Sequence, residues 1–237
     1  MNKLILTLAM VIVLISFSGQ SLAWHDKTHL AVAKVAGYEM WYNAAGADIA
    51  KIKAGDKERY NHWYNNNRKE EITAQIVLGQ VERYDKDNAW SDAEGHLYGA
   101  IIASLRNYEK DSALGKYAEY HLAYCVHYIG DLSMPFHNIP FDIFNQNRHS
   151  INDGIVEKTI FDQPQKIIPH MYKIALRDDY FEADLALEIA RIANLTRGLG
   201  YKLLAEGGRD MTPEEVYVQL GHSASLSKAV LQHYKKS

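Results

Sequence analysis

Seven segments of this chain carry apolar residues at intervals of three and four, the repeat of an α-helix that buries one face. Alternation of apolar and polar residues, which is typical of strands, is nearly absent. The pattern therefore predicts an all-α fold, a single compact multi-helix domain. The helical segments are 28–42, 70–84, 96–110, 116–131, 164–178, 182–206 and 213–234.

The last helix carries a start signal. Thr212 precedes Pro213, Glu214 and Glu215, which combines a cap, a proline in the first turn and acids near the positive end of the helix. The connections 61–69, 85–95 and 137–148 are long and polar for a helical domain, and such loops often carry function.

The first 23 residues have the features of a secretory signal. Lys3 precedes an uninterrupted apolar run, and Ser21 and Ala23 occupy the small-residue positions of a cleavage site. The run is shorter than the ~20 apolar residues of a membrane anchor. We expect cleavage after Ala23, a mature domain over residues 24–237, and a secreted or periplasmic location.

Charge and cysteine content narrow the function classes. The chain has a net charge of −3, which is not the basic balance of a protein that holds nucleic acid through many phosphate contacts. Its single cysteine, Cys125, cannot form an internal disulfide. An exported chain without disulfides takes its stability from its core or from bound metal.

Histidine and aspartate recur at helical spacing. His127 and Asp131 are four residues apart in "HYIGDLSMPFH", and His137 follows past a helix-ending proline. "HSIND" repeats the step with His149 and Asp153, and "DAEGH" repeats it in reverse with Asp92 and His96. One such pair alone is typical of a surface hydrogen bond. Three pairs together offer imidazole and carboxylate ligands that suit zinc.

The string "HYIGDLSMPFH" followed by "HSIND", with Trp24 at the expected mature N-terminus and His29 soon after, resembles the zinc-dependent phospholipase C and single-strand nuclease superfamily. The members of this superfamily are all-helical phosphodiester hydrolases with three zinc ions. The resemblance covers residues 24–153. It implies that one zinc binds the free α-amine and carbonyl of Trp24 together with His29, and that Asp131 bridges this zinc to a second.

The resemblance implies that the second zinc is held by His127, His96 and Asp92. Family members usually separate the last two ligands by more than ten residues, and here they are four apart. Asp85 or Asp87 is therefore an alternative to Asp92 as the carboxylate partner of His96.

The third zinc, which the resemblance implies is more exposed and has open positions for water and substrate, would bind His137, His149 and Asp153. The expected catalytic carboxylates are Asp92, which orients the attacking water or accepts its proton, and the bridging Asp131. The remaining histidines do not fit the pattern. His25 is one residue out of position, His121 lies off the helix face of His127, and the others have no carboxylate at a fitting spacing. We expect each to be a surface or satisfied core residue: His25, His62, His121, His170, His222 and His233.

The substrate branch stays open at this point. The five-residue offset from Trp24 to His29 and the aspartate at 153 resemble the nucleases, but the nuclease pattern has a tryptophan where this chain has Asn152. "HSINDGIV" and the short, disulfide-free chain look more like the bacterial phospholipases. We expect a monomeric, phospholipase C-like hydrolase with transient contact to membrane surfaces. The alternatives are a nuclease acting on single-stranded nucleic acid and a non-catalytic zinc-binding helical protein.

Overall fold

The computed structural model describes residues 24–54, 56–84 and 93–236. Within these ranges the chain forms ten α-helices joined by short 3-10 helices and loops, with no strand, and the prediction of an all-α fold is confirmed. The expected signal peptide, residues 1–23, lies outside the described residues. The α-helices are α1 Asp26–Ala36, α2 Gly46–Ala54, α3 Asp56–Arg59, α4 Ala74–Gln80, α5 Leu97–Ala113, α6 Glu119–Leu132, α7 Ile143–Asp153, α8 Glu157–Ile160, α9 Phe181–Ala205 and α10 Pro213–Lys236.

Six of the predicted helical segments contain helices, and α10 begins where its sequence signal placed it. The backbone N–H of Glu215 donates to Thr212 Oγ1 at 3.2 Å, and the N–H of Thr212 donates to Glu215 Oε2 at 2.9 Å. This reciprocal pair is a capping box, which satisfies two of the backbone donors that a helix start leaves open.

The helix predicted over 164–178 is wrong. The segment contains two 3-10 turns, Pro164–Lys166 and Ile168–His170, followed by extended chain. Its prolines lack the backbone donor that a continuous helix needs. The extended part bonds to other elements instead: the N–H of Tyr172 donates to Ser225 Oγ, and that of Arg177 donates to Asp184 Oδ2.

The connection predicted over 137–148 is shorter than expected. Helix α7 begins at Ile143 because Asp142 caps it, with its carboxylate accepting from the N–H of Asn145 at 3.0 Å. His149 and Asp153 therefore lie one turn apart on a helix, as the four-residue spacing predicted.

Two apolar clusters form the core. The larger one is centred on α5 and α6, which form the most extensive helix–helix contact among the described residues. The smaller one joins Trp24, Met134 and Phe136 to residues of α1, α9 and α10. Within the described ranges, no helix has the length and apolar character needed to cross a membrane.

Candidate metal centre

The carboxylate of Asp131 lies at the centre of a buried group of imidazoles. Its Oδ2 is 2.9 Å from Nδ1 of His62 and 3.3 Å from Nε2 of His127. Its Oδ1 is 3.3 Å from Nε2 of His29 and 3.6 Å from Nδ1 of His137. Each carboxylate oxygen thus faces two histidines, which suits a carboxylate that bridges two cations.

Four atoms lie near one another on one side of this carboxylate and are called the cage below: Oδ1 of Asp48, Nδ1 of His62, Nε2 of His127 and Oδ2 of Asp131. Nδ1 of His62 is 3.2 Å from Nε2 of His127, and Oδ1 of Asp48 is 3.7 and 3.6 Å from these two nitrogens. Ligands placed ~2.1 Å from a tetrahedral zinc are separated by ~3.4 Å. The cage therefore has the size of a zinc site.

A second group lies at the end of α7. Nε2 of His149 is 3.6 Å from Oδ2 of Asp153, and the ligand atoms of these two residues and His137 lie within 4.8 Å of one another. Nδ1 of His149 lies 3.0 Å from Oδ1 of Asn145, an amide oxygen that can only accept. His149 therefore carries its proton on Nδ1 and presents the lone pair of Nε2 to the group.

The same arrangement orients His127. Its Nδ1 lies 2.7 Å from the carbonyl oxygen of Ala44, so Nδ1 donates its proton there and Nε2 is left as the ligand atom. The ring of His29 stacks on that of His127 with centroids 3.7 Å apart. This close approach of His29 to α6 depends on Gly130, because a Cβ at that position would lie 2.5 Å from Nδ1 of His29.

Buried polar atoms without a hydrogen bond concentrate in this one region. A buried polar atom that lacks a partner costs stability, and a buried carboxylate costs most. Both oxygens of Asp153 and both ring nitrogens of His29 and His137 lack a hydrogen-bond partner among the described residues. Bound cations would satisfy the Asp153 carboxylate and one ring nitrogen of each of these two histidines. The buried clusters can hold metal ions in three groups: His29 with His127 and Asp131; Asp48 with His62 and His127; and His137 with His149 and Asp153.

The electrostatics of the centre follow from burial and from the mixture of charges. Burial lowers the pKa of His29 and of His149, and it lowers that of His137 to about 4. For His127 burial acts in the same direction, but the carboxylates of Asp48 and Asp131 outweigh it and raise the pKa to about 9. One imidazole of the stacked His29 and His127 pair is therefore charged and the other is neutral.

The two buried aspartates differ for the same reason. Burial alone would raise the pKa of Asp131, but His127, His137 and His29 hold it well below its usual range. At Asp153, burial and the negative charges of Asp131 and Asp48 outweigh the opposing charge of Lys51, so the pKa is raised well above the usual range. Asp131 is thus ionised before any metal binds, whereas Asp153 must lose a proton to become a ligand.

The structure brings together six of the residues predicted as ligands: His29, His127, Asp131, His137, His149 and Asp153. The last group is buried, whereas the resemblance implied that it would be the most exposed. Trp24 is also buried, in the apolar cluster that contains Met134 and Phe136.

Of the predicted pair Asp92 and His96, only His96 lies within the described residues. Asp92 and its alternatives Asp85 and Asp87 lie outside the described residues. His96 belongs to none of the described ligand groups, and its Nε2 lies 2.7 Å from Oδ1 of Asn61 instead.

Sequence analysis missed Asp48 and His62, which form a ligand group with His127. His62 was expected to be an ordinary core or surface residue. The two residues come from α2 and from the loop after α3, so no helical spacing links them, and only the excess of histidine in the chain indicated a further imidazole ligand. Four of the other histidines contact partners outside the ligand groups, as expected of surface or satisfied core residues: His121 pairs with Asp111, His170 with Glu214, His222 with Tyr172 and His233 with Asp178.

Comparisons with known proteins assign no family to this centre. No protein-family model matches the chain, and neither a curated protein nor a solved structure matches it.

Proposed function

We propose that this chain is an exported zinc-dependent phosphodiester hydrolase of the phospholipase C type. The observation that supports the proposal most directly is the set of three adjoining ligand groups organised around Asp131 and His127. Groups that share ligands in this way place cations within a few ångströms of one another. Clustered cations suit a substrate whose reacting group is anionic.

The donor set favours zinc. All the donors in the three groups are imidazole nitrogens and carboxylate oxygens, a mixture that suits Zn²⁺ better than Mg²⁺ or Ca²⁺, which prefer oxygen alone. The single thiol, Cys125, is buried in the larger apolar cluster. We assign three ions, with the group at His29 completed by the α-amine of Trp24 once residues 1–23 have been removed.

Zinc bound in these groups would neutralise charge on a phosphodiester and lower the pKa of a bound water. The chain's own contribution is to fix the ligands before the substrate arrives. Ala44 and Asn145 hold two of the imidazoles in the tautomer that binds metal. Asp131 keeps its negative charge in a fully buried position between four histidines.

We assign Lys51 as a cation that would bind the substrate. It lies one turn after Asp48 on α2, its ammonium pairs with the Asp48 carboxylate, and its side chain is 18 % exposed. An ammonium at the margin of the centre binds a non-bridging phosphate oxygen as a point charge. Metal at Asp48 would compete for the same carboxylate and release Lys51 toward that oxygen.

A lipid substrate is favoured over a nucleic acid. Helix α2 exposes Ile52, one turn from Asp48, to 85 %. An apolar side chain so exposed beside the centre suits contact with a lipid headgroup layer. The acidic net charge of −3 does not favour a long polyanion. Asn152, where the nuclease pattern has tryptophan, is buried and accepts from the N–H of Met211, so it is unable to stack on a base.

One preparation tests the proposal. The mature protein, with Trp24 as its first residue, is assayed for zinc content and for hydrolysis of bis-p-nitrophenyl phosphate, phosphatidylcholine micelles and single-stranded DNA. We expect three zinc ions, zinc-dependent hydrolysis of the generic ester, and preference for the lipid. Hydrolysis of DNA alone would move the assignment to a nuclease. Zinc binding without any hydrolysis would leave a non-catalytic zinc protein and reject the enzyme.

Matched variants tie the activity to the centre. Asp131→Asn should abolish hydrolysis because the shared carboxylate charge is lost. His170→Gln, which replaces a histidine outside the ligand groups, should leave it unchanged. Activity that survives in Asp131→Asn would point to a contaminating enzyme.

A further inference from the structure

Glu58 is a buried carboxylate that belongs to none of the described ligand groups. It lies in α3 and is 4 % exposed. A buried carboxylate is stable only where other groups hydrogen-bond or pair with it. Its two oxygens have such partners, and one of these partners is a ligand residue of the metal centre.

Tyr128 and Asn61 hold the carboxylate in place. The hydroxyl of Tyr128 donates to Oε1 at 2.5 Å, and the amide of Asn61 donates to Oε2 at 3.2 Å. Tyr128 lies on α6 next to His127, so the helix that supplies two metal ligands also fixes Glu58. The same amide of Asn61 lies 3.3 Å from the hydroxyl of Tyr128, which closes the network.

His62 lies between Glu58 and the metal ligands. Its Nε2 is 3.3 Å from Oε1 of Glu58, while its Nδ1 faces Oδ2 of Asp131 at 2.9 Å. In a neutral imidazole one nitrogen carries the proton and the other carries the lone pair. Without metal, the hydrogen bond of this ring runs from Nδ1 to Asp131, and Nε2 has none among the described residues. A metal ion bound by Nδ1 and Asp131 would displace the proton between them, and the carboxylate of Glu58 beside Nε2 would then hold the proton on that nitrogen, with the lone pair of Nδ1 directed into the cage.

His96 supports this arrangement from a distance. Its Nε2 lies 2.7 Å from Oδ1 of Asn61, and its backbone N–H donates to the carbonyl of Tyr60 at 2.9 Å. These contacts hold the loop of residues 60–65, which contains His62, against the start of α5. His96, expected from the sequence to be a ligand, thus lies at the outer end of a chain that runs through Asn61 and Glu58 to His62.

We propose that Glu58, held by Tyr128 and Asn61, is the positioning carboxylate that makes His62 bind metal through Nδ1. The proposal rests on the metal centre described above. It assigns Glu58 no contact with metal or substrate. Its effect is on the affinity and geometry of one site, the cage of Asp48, His62, His127 and Asp131.

The test compares metal binding by the full mature protein and three variants. Glu58→Gln removes the charge and places an amide N–H against that of Asn61, and Tyr128→Phe removes one donor to Glu58. Glu119→Gln is the matched control, because Glu119 accepts from the hydroxyl of Tyr38 at 2.8 Å in a tyrosine–carboxylate pair outside the centre. Zn²⁺ affinities are measured by chelator competition, and ligand geometry by the visible absorption of Co²⁺-loaded protein.

We expect Glu58→Gln to lower the affinity for one zinc ion by about 10–100-fold and to change the Co²⁺ spectrum. The other ions should stay in place. Tyr128→Phe should lower the affinity for the same ion by a smaller factor, and Glu119→Gln should match the parent protein. Tyr128→Phe decides the matter if Glu58→Gln does not fold.

If the parent protein binds three ions, and Glu58→Gln and Tyr128→Phe both match it in affinity and spectrum, the role of Glu58 is overturned. The proposed function then still stands. Parent protein that binds no metal would overturn both.

Discussion

Nδ1 of His62 lies 2.9 Å from Oδ2 of Asp131, although 69 residues separate the two in the chain. His62 comes from the loop after a four-residue helix, and Asp131 from the last turn of α6. Their contact joins the N-terminal helices to the central pair α5 and α6. The Asp131 carboxylate thereby faces histidines of two ligand groups, His62 at Oδ2 and His29 at Oδ1. The predictions below follow from this shared position.

Replacing Asp131, which faces two ligand groups, should lower the zinc content more than replacing Asp153, which belongs to one. Asp131→Asn keeps the volume of the side chain but removes the charge from two ligand groups, so we expect one of three zinc ions to remain. Asp153→Asn affects a single group, so two should remain. Zinc per chain is measured by atomic emission after dialysis. Equal losses in the two variants would show that Asp131 is not shared.

Zinc should stabilise the fold by filling the buried groups. One site at a free zinc concentration 100 times its dissociation constant adds about 2.7 kcal/mol to the free energy of unfolding. For a domain of this size that corresponds to a rise in Tm of about 5–10 °C. Thermal unfolding of metal-free protein is followed by circular dichroism with zinc or magnesium added. A similar rise with magnesium would contradict the imidazole-rich assignment.

Zinc affinity should increase with pH up to about 9. The pKa of His127 is raised to about 9 by Asp48 and Asp131, against the effect of burial, so this imidazole is protonated at pH 7 and zinc must displace its proton. The affinity for the ion bound by His127 should rise by up to about tenfold per pH unit below that value. Chelator competition at several pH values, corrected for the chelator's own protonation, measures this slope.

The same raised pKa has the opposite consequence for the metal-free fold. Protonated His127 stabilises the metal-free protein fully below the unfolded pKa of His, and this contribution is lost as the pH rises through about 9. His137, with a pKa lowered to about 4, stabilises the fold above pH 6.5 and loses its contribution as the pH falls toward 4. The chelator competition described above tests the charge on His127 directly: a zinc affinity that does not change between pH 6.5 and 8.5 would contradict the protonation of His127.

A methyl group at position 130 should displace His29. The added Cβ of Gly130→Ala would lie 2.5 Å from Nδ1 of His29, and such overpacking costs about 1–3 kcal/mol of stability. We also expect the loss of one zinc ion. Gly198→Ala is the control, since nothing lies within 4 Å of its added Cβ and a helical alanine gains about 0.5–1 kcal/mol over glycine. Retention of three zinc ions in Gly130→Ala would contradict the role of His29.

Removing the charge of Lys51 should affect the substrate and not the metal. Lys51→Met removes an ammonium that pairs with Asp48. We expect KM for bis-p-nitrophenyl phosphate to rise by roughly tenfold, because one charge-assisted contact worth ~1.4 kcal/mol is lost. Zinc affinity should stay equal or increase. Lys53→Met, which replaces an exposed lysine of the same helix, should leave KM unchanged. Weaker zinc binding in Lys51→Met would place Lys51 in a structural role instead.

The helical class and part of the metal centre follow from local patterns in the sequence. The spacing of apolar residues predicts α5, α6, α9 and α10 because the amphipathic repeat is a local property of each segment. The steps from His127 to Asp131 and from His149 to Asp153 are local in the same way, since residues four apart lie on one face of a helix. His29, His137 and these four residues are all in the centre.

The rest of the ligand set depends on contacts between residues that are distant in the chain. Asp48 and His62 have no fixed spacing to each other or to α6, and they enter the centre because α2 packs on α6 and α5 anchors the loop of residues 60–65. Conversely, His96 has helical spacing to an aspartate yet bonds to Asn61, because the fold directs its ring toward the support of His62. A spacing rule describes one helix, whereas a metal cage needs donors from several elements, and their meeting depends on long-range packing.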